Sequence, residues 1–249
     1  MQTTVIRGAA GVYDWGLNSS ADLKASDRLL HTIAQNPSMG SIVRLYRPAP
    51  TVAFSGLEQR LDGFREAIGE ATAFGFETVI RPAGGRMVAL DEHWLVLDII
   101  TPESTRAFGH RDVYHRFGEM FVQVLEQLGV EAHFGPVDGE YCPGDYSINA
   151  RNEVKLVGTA QRVRRGARLF SASIPYSISV GVSELFDRIN GLLGLEWNNE
   201  TLGSVNQEVS GVTIDDLEAA LLSAFAAGAD EYLSLADVFS KGNRLSVLS

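Results

Sequence analysis

The stretch Met87-Val-Ala-Leu-Asp-Glu-His-Trp-Leu-Val-Leu-Asp-Ile-Ile100 decides the fold class. It contains two runs of strand length, 87–90 and 93–100, and only two residues separate them. A gap this short suits an antiparallel pair, whereas parallel strands need a crossover of a dozen or more residues. The stretch therefore predicts neighbouring antiparallel strands.

The rest of the chain mixes helices and strands without the regular alternation that a parallel sheet requires. No linker, repeat or low-complexity segment stands out. We therefore predict an α+β fold, a mostly antiparallel mixed sheet flanked by helices, in one domain over residues 1–249. The predicted helices are 21–35, 61–74, 110–128, 182–193 and 213–227, and the other predicted strands are 41–46, 51–54, 77–80, 154–157 and 169–178.

Composition and charge argue against several classes of function. The 249 residues carry a net charge of −10, which disfavours binding of nucleic acid or anionic membranes driven by bulk charge. The densest apolar stretch, 94–100, is far shorter than the roughly 20 residues of a membrane span. The N-terminus also lacks the apolar core of a signal peptide. We expect a cytoplasmic protein that contacts neither nucleic acid nor membrane.

Cys142 is the single cysteine, so the chain can form neither an internal disulfide nor a zinc site built on several cysteines. The five histidines show no metal-ligand spacing, and we predict no metal site. The cysteine stands in the loop Glu140-Tyr-Cys-Pro-Gly-Asp-Tyr146 rather than in an apolar run. A lone cysteine is most often a small buried apolar residue, and this loop setting leaves reactivity as the alternative.

A glycine-rich segment, Arg81-Pro-Ala-Gly-Gly-Arg86, follows a predicted strand. Adjacent glycines let a backbone approach a ligand with its N–H groups exposed, and arginine recognises phosphate or carboxylate. The alternative is a glycine hairpin turn with solvated arginines.

A second segment, Lys155-Leu-Val-Gly-Thr-Ala-Gln161, places a lysine on a strand just before a run of small residues. Small side chains make room for a ligand beside the lysine. The alternative is an edge strand whose lysine prevents aggregation.

Together these segments resemble one family. Arg81-Pro-Ala-Gly-Gly-Arg-Met-Val88 is similar to the glycine signature of lipoate–protein ligase A and the octanoyltransferases, and Lys155-Leu-Val-Gly-Thr-Ala-Gln161 is similar to their lysine signature. Order and spacing agree, and Pro50-Thr-Val-Ala-Phe-Ser-Gly56 resembles a further strand of the family. The resemblance covers residues 22–228 and implies the fold shared with biotin–protein ligases and class II aminoacyl-tRNA synthetases.

The resemblance also implies a site and a substrate. Lys155 would hold the acyl carbonyl of an octanoyl or lipoyl group, and the acceptor would be a lysine of a lipoyl carrier domain. No permanent cofactor is expected. The residues implied in acyl or nucleotide binding are Arg81, Gly84, Gly85, Arg86, Gly158, Thr159 and Ala160.

Three activities are open within this resemblance. A transferase would take the acyl group from acyl carrier protein or another carrier domain, through a thioester on Cys142, and we favour it. An ATP- and magnesium-dependent ligase would act through lipoyl-adenylate. It usually carries a C-terminal accessory domain, which we do not expect here. A non-catalytic family member would only bind the lipoyl group or the carrier domain.

A basic stretch follows the lysine signature. No Asp or Glu occurs between Val154 and Ser183, although the chain is acidic overall. Carrier domains of this family are usually acidic, so we predict that this stretch docks the protein substrate. The alternative is a solvated edge strand. The predicted docking residues are Arg162, Arg164, Arg165 and Arg168.

Overall fold

The computed structural model describes residues 2–8, 21–81, 83–103 and 109–233. Eleven strands and six helices are defined within these ranges. They are β1 (Thr3–Gly8), α1 (Ala21–Gln35), β2 (Ser41–Tyr46), β3 (Thr51–Ser55), α2 (Phe64–Ala73), β4 (Glu77–Arg81), β5 (Val88–Leu90), β6 (Trp94–Pro102), α3 (His110–Gln127), β7 (Ala132–Phe134), β8 (Ile148–Ala150), β9 (Val154–Arg164), β10 (Ala167–Pro175), α4 (Val180–Leu192), α5 (Val205–Glu208), α6 (Ile214–Phe225) and β11 (Glu231–Leu233).

An eight-stranded sheet in the order β11-β1-β2-β6-β10-β9-β8-β7 forms the centre of the molecule. Only the β11–β1 and β1–β2 pairs are parallel, and the other five pairs are antiparallel. Helices cover both faces of this sheet, with α3 and α6 on one face and α1 on the other. The predicted α+β class with a mostly antiparallel mixed sheet is confirmed.

The position of strand β6 in the sheet explains why the run 94–100 is apolar at every position but one. Leu95, Leu97 and Ile99 point into the core beneath α3 and α6, whereas Ile100 packs with α1 on the opposite face. A strand covered on both faces needs apolar residues at nearly every position. The exception, Asp98, is 1% exposed and pairs with Arg44 on β2.

A smaller sheet in the order β4-β3-β5 packs with α2 and α4. The predicted antiparallel pairing of 87–90 with 93–100 is wrong, because β5 pairs with β3 while β2 and β10 occupy both edges of β6. The short connection turns the chain from one sheet into the other. Asp91 stabilises this turn by accepting hydrogen bonds from the N–H groups of His93 and Trp94, both at 3.0 Å.

The long helices agree with the sequence pattern. Helix α1 has the predicted bounds, and α2, α3, α4 and α6 differ from theirs by three residues or fewer at each end. Thr213 caps α6, as the sequence suggests, by accepting a hydrogen bond from the N–H of Asp216 at 3.1 Å. The elements β1, β7, β8, α5 and β11 were not predicted. Four of them have only three or four residues, too few positions to show a period. Strand β1 has six residues and is a miss, because the glycines and serines of the first 21 residues indicated an irregular segment.

No helix in the described part of the chain is long and apolar enough to cross a membrane. The prediction that residues 1–249 form one domain stays a prediction, because residues 234–249 lie outside the described residues.

Candidate active site

A cavity of about 340 Å³ lies where the two sheets meet. Its apolar wall comes from α1, the small sheet and β6, through Leu23, Ala53, Val88, Leu90 and Val96. Its polar side is formed by the loop before β8, by β9 and by Ser171 and Ser173 of β10. An apolar chamber with polar groups at one end suits a ligand that has an apolar tail and a polar head.

The loop 135–147 brings Cys142 to the cavity wall. The cysteine is half-buried, and its Sγ accepts a hydrogen bond from the N–H of Arg86 at 3.0 Å. This contact joins the cysteine loop to the glycine loop, which lies 56 positions earlier in the chain. The sequence suggests a reactive or a buried apolar cysteine, and the structure places the thiol in the wall of an open cavity.

Lys155 lies within the cavity wall and is 3% exposed. Its Nζ donates to Glu140 Oε1 and to the carbonyl oxygen of Cys142, both at 2.8 Å. The ammonium also lies 4.6 Å from the centre of the Tyr141 ring. The alternative of an exposed edge lysine is wrong, because β8 and β10 flank β9 and the side chain points inward.

Glu140 is the carboxylate of this site, and its side chain is 0% exposed. Besides Lys155, it accepts hydrogen bonds from Ser147 Oγ at 2.7 Å and from the N–H of Val137 at 3.1 Å. A buried carboxylate is tolerated when donors surround it in this way. Glu140 is not among the site residues predicted from the sequence, because a single acid in a loop carries no periodic signal.

The glycine loop crosses from β4 to β5 over β3, so these two strands do not form a hairpin. Gly85 has φ +99°, and a Cβ there would lie 3.0 Å from Cys142 Sγ and 2.8 Å from an Arg81 nitrogen. Only glycine fits this position. Beyond the loop, the buried Glu58 accepts the N–H of Met87 at 2.7 Å and fixes the start of β5.

The two arginines of this loop take different directions. Arg81 lines the cavity and donates to the carbonyl oxygen of Arg86 at 2.6 Å, while its buried Nε has no partner among the described residues. The Arg86 guanidinium donates to the carbonyl oxygen of Glu196 at 2.9 Å and is not part of the cavity lining. The structure therefore brings Arg81, Gly84 and Gly85 to the cavity, and Arg86 only through its main-chain N–H.

Four consecutive residues of β9, Gly158 to Gln161, line the cavity. They share this position because β8 pairs with β9 only as far as Val157, which leaves the following stretch open. A Cβ at Gly158 would lie 3.1 Å from the hydroxyl oxygen of Tyr141, so this glycine lets the tyrosine pack against the strand. The three small residues that the sequence predicted, 158–160, all lie at the cavity.

An aromatic wall closes the side next to α3, and sequence reasoning missed it. Tyr114 of α3 stacks on Tyr146 of the cysteine loop at 4.2 Å between ring centres. The neighbouring His110 also lines the cavity, although the sequence pattern indicated only a helix end. In the sequence, Tyr114 and Tyr146 belong to separate segments, and only the fold pairs them.

Burial strongly raises the pKa of the Tyr141 hydroxyl, and the nearby Cys142 and Glu140 raise it further. The phenol therefore stays neutral at physiological pH. Arg81 opposes the shift, as does a hydrogen bond with Ser173. Tyr141 thus supplies a ring face to Lys155 and a neutral hydroxyl to the cavity.

The predicted docking arginines lie on the hairpin that joins β9 to β10. Arg162 and Arg165 are exposed, whereas Arg164 and Arg168 are half-buried. None of the four lines the large cavity, but the hairpin continues directly from Gln161 at its edge.

In the described part of the chain, no group of three or more His, Cys, Asp or Glu side chains could hold a metal ion. The polar groups that line the cavity are one thiol, one ammonium, one guanidinium, one imidazole, one side-chain amide, main-chain amides and several hydroxyls of serine, threonine and tyrosine. This donor set suits a carbonyl or an anionic group rather than a metal.

Solved structures show the same fold. A lipoate–protein ligase A bound with ATP superposes with a TM-score of 0.70, covering 98% of this chain and 94% of that one at 20% identity. Ta0514 of T. acidophilum, a lipoate protein ligase by name with bound lipoic acid, gives a TM-score of 0.68 at 19% identity. This superposition covers 97% of the present chain and 95% of the Ta0514 chain. The molecule has the fold of the lipoate–protein ligases.

The sequence identifies the family within this fold. The model of the lipoyl protein ligase A/B catalytic domain matches residues 19–226, and this chain belongs to that family. The resemblance seen in the two signatures is therefore confirmed.

Curated relatives include octanoyl-[GcvH]:protein N-octanoyltransferases. The protein of Geobacillus kaustophilus is 28% identical over 142 residues, which cover 57% of this chain and 50% of the relative. The protein of Exiguobacterium sibiricum is 31% identical over 130 residues, covering 51% and 46%. The matched part thus spans about half the length of these relatives.

Proposed function

We propose that this protein transfers an octanoyl or lipoyl group from a carrier protein to a lysine of a lipoyl carrier domain, through a thioester on Cys142. The relatives named octanoyl-[GcvH]:protein N-octanoyltransferase support the reaction and suggest octanoyl-[GcvH] as a donor beside octanoyl-acyl carrier protein. One observation carries the proposal. The single cysteine lies in the cavity wall, and its own carbonyl is held by the buried Lys155.

In the first half-reaction, the Cys142 thiolate attacks the carbonyl carbon of the donor. A carbon–sulfur bond forms, the bond from the acyl carbon to the carrier breaks, and the leaving group takes up a proton. Thiolate is a competent nucleophile even when only a small fraction is ionised. The N–H of Arg86, which contacts Sγ at 3.0 Å, holds the sulfur at the cavity wall.

In the second half-reaction, the amine of the acceptor lysine attacks the thioester. An amide bond forms, the carbon–sulfur bond breaks, and the Cys142 thiolate is released while the amine loses a proton. When the donor is itself a thioester, the first exchange is close to thermoneutral, so the sequence of steps needs no ATP. No permanently bound cofactor takes part.

Lys155 stabilises the oxyanion that forms in each half-reaction. An ammonium has three N–H donors, and Glu140 and the Cys142 carbonyl accept two of them. The third donor is left for the substrate oxygen, and a fixed donor at this point acts most strongly in a site that excludes water. Lys155 is therefore an electrostatic catalyst and not a nucleophile.

The apolar chamber binds the acyl chain. Leu23, Ala53, Val88, Leu90 and Val96 surround it, and each buried methylene contributes about 0.8 kcal/mol. Arg81 lies at the polar end of the cavity, and its buried Nε has no hydrogen-bond partner in the part of the chain that the structure describes, so it can bind an oxygen of the carrier's linkage.

The protein substrate docks on the basic hairpin, which continues from the cavity edge. We expect reversal of Arg162 and Arg165 to Glu to raise KM for the carrier protein and to flatten its dependence on salt, with kcat kept. Steady-state kinetics at two salt concentrations measure this. Reversal of Arg188, an exposed arginine of α4 that pairs with Glu184, is the control. Equal KM values in both variants would place docking elsewhere.

Intact mass spectrometry tests the thioester directly. After incubation with octanoyl-acyl carrier protein or octanoyl-[GcvH], the enzyme should gain the mass of one octanoyl group, and hydroxylamine should remove it. Cys142→Ser should lose this labile adduct, and turnover should fall by about 10³-fold or more.

The same variant separates the transferase from the ligase. A ligase needs no thiol, so activity of Cys142→Ser that requires free lipoate, ATP and magnesium would overturn the proposal. Ligand binding without any transfer by the unmodified protein would instead identify a non-catalytic binder.

A further inference from the structure

We propose that Glu140 is a positioning residue for the transfer: its carboxylate holds Lys155 and the cysteine loop in the one arrangement that presents an ammonium N–H and the Cys142 thiol to the same carbonyl group. This inference rests on the proposed function. It gives a role to Glu140, which lies in neither of the two sequence signatures, 81–88 and 155–161.

The carboxylate is completely enclosed, and its three hydrogen bonds reach three parts of the site. Oε1 accepts from Lys155 at 2.8 Å and from Ser147 at 2.7 Å, and Oε2 accepts from the N–H of Val137 at 3.1 Å. Val137 and Ser147 lie on either side of Cys142 in the loop. Glu140 therefore ties the two arms of the cysteine loop to the strand that carries the lysine.

Three consecutive residues surround the ammonium in three different ways. Glu140 contributes its carboxylate, Tyr141 contributes its ring face at 4.6 Å, and Cys142 contributes its carbonyl oxygen at 2.8 Å. The lysine is thus held by the backbone segment that bears the thiol. A displacement of Glu140 shifts the ammonium and the thiol together.

A contribution to stability does not by itself explain the buried Lys155–Glu140 pair. A buried ion pair is often no more stabilising than apolar residues of similar volume, because both charges lose their hydration. The use of lysine as the cation indicates that the pair serves to position a donor. Only three of the 21 basic residues in the chain are lysines, and one of them is this buried residue. A compact ammonium points its three donors in tetrahedral directions, so two can bind fixed acceptors while the third faces a substrate, whereas a guanidinium is larger and holds its donors in one plane.

Glu140→Gln tests the inference because it keeps the size of the side chain and removes the charge. A misplaced donor at a reacting centre costs about 10²-fold in rate, so we expect a fall of about that size in kcat, with KM for the carrier protein little changed. Ser147→Ala removes one donor to the same carboxylate and should give a smaller fall. Glu131→Gln, an exposed acid outside the cavity, is the matched control.

A spectroscopic measurement without substrate makes the test independent of activity. With only three lysines, the ¹⁵N-lysine spectrum is simple, and Lys155→Arg identifies the signal of Lys155 Nζ. In the wild type this signal should be protected from hydrogen exchange. In Glu140→Gln it should shift or lose protection, a change that simple loss of stability elsewhere would not produce.

The outcomes separate the inference from the proposed function. If Lys155→Ala is inactive but Glu140→Gln keeps wild-type kcat and an unchanged Nζ signal, the positioning role is wrong and the transfer mechanism stands. If Lys155→Ala and Cys142→Ser both remain active, the mechanism is wrong, while the Nζ signal still reports on the Glu140 contact. If Glu140→Gln fails to fold, Glu140→Asp and Ser147→Ala carry the test, and wild-type kcat in both overturns the inference.

Discussion

Two ion pairs among the described residues are almost completely buried, one in the core and one at the cavity, and both combine a cation, a carboxylate, a serine and a tyrosine ring. In the core, Arg44 pairs with Asp98, donates to Ser26 Oγ at 2.7 Å and lies 3.7 Å from the centre of the Tyr46 ring. Burial raises the pKa of the Asp98 carboxyl, while Arg44 and hydrogen bonds from serines oppose the shift.

At the cavity, Lys155 pairs with Glu140, Ser147 donates to the carboxylate, and the Tyr141 ring lies beside the ammonium. The chemistry of the two clusters is nearly the same, but their surroundings differ. The core pair joins α1, β2 and β6 beneath packed side chains, whereas Lys155 of the second pair lines the cavity and Glu140 lies buried behind it.

The comparison teaches that burial of a charge does not by itself reveal its purpose. In the core, the planar guanidinium of Arg44 presents its donors to acceptors that lie in fixed directions. An ammonium fits where one donor must remain for a ligand. We therefore expect substitutions in the core pair to change stability alone, and substitutions in the cavity pair to change turnover as well as stability.

The largest expected effect is on stability, from Asp98→Asn. The amide leaves Arg44 without its carboxylate in the core, and loss of one partner of a buried pair costs about 3–5 kcal/mol in the free energy of unfolding. Urea denaturation measures the loss. Asp215→Asn, in an exposed pair with Arg47, should cost less than about 1 kcal/mol. Similar losses in both variants would contradict the distinction.

Next in size is the effect of Lys155→Ala on turnover. Loss of one oxyanion donor lowers kcat by about 10²–10³-fold, and circular dichroism should show a folded protein. Lys155→Arg should not restore activity, because a planar fork does not fit the place of a compact ammonium. Arg44→Lys in the core is the reciprocal exchange and should lower stability instead. Near-normal turnover in Lys155→Ala would end the proposed mechanism.

The smallest effect concerns Tyr141 at alkaline pH. An unfolded tyrosine ionises near pH 10, whereas burial raises the pKa of Tyr141 in the folded protein. Above pH 10 the folded chain therefore binds more protons than the unfolded chain, so stability falls as pH rises, by at most about 1.4 kcal/mol per pH unit from this group.

Tyr141→Phe should remove this part of the pH dependence. Urea unfolding between pH 8 and pH 11 should give a shallower decline for the variant than for the wild type. Parallel declines would show that the Tyr141 hydroxyl does not set the alkaline limit.

Much of the site was predictable because its signatures are local. Lys155 and the small residues 158–160 follow one another on a strand, and all of them reach the cavity. Gly84 and Gly85 do so as well. Arg86 shows the limit, since its side chain binds the carbonyl of Glu196 and only its main chain touches the cysteine. The direction of a long side chain depends on distant neighbours that local spacing does not reveal.

By itself, the sequence determined the long helices, the apolar strands, the α+β class and the family, because helical and strand periods and short motifs are properties of neighbouring residues. The tertiary structure decided that β5 and β6 belong to different sheets, since the partners that occupy the edges of β6 come from distant parts of the chain. The tertiary structure also decided that Glu140 binds the ammonium of Lys155. That contact spans 15 positions, and the one between Arg86 and Cys142 spans 56, so both exist only once the loops are packed against β9 and the glycine loop.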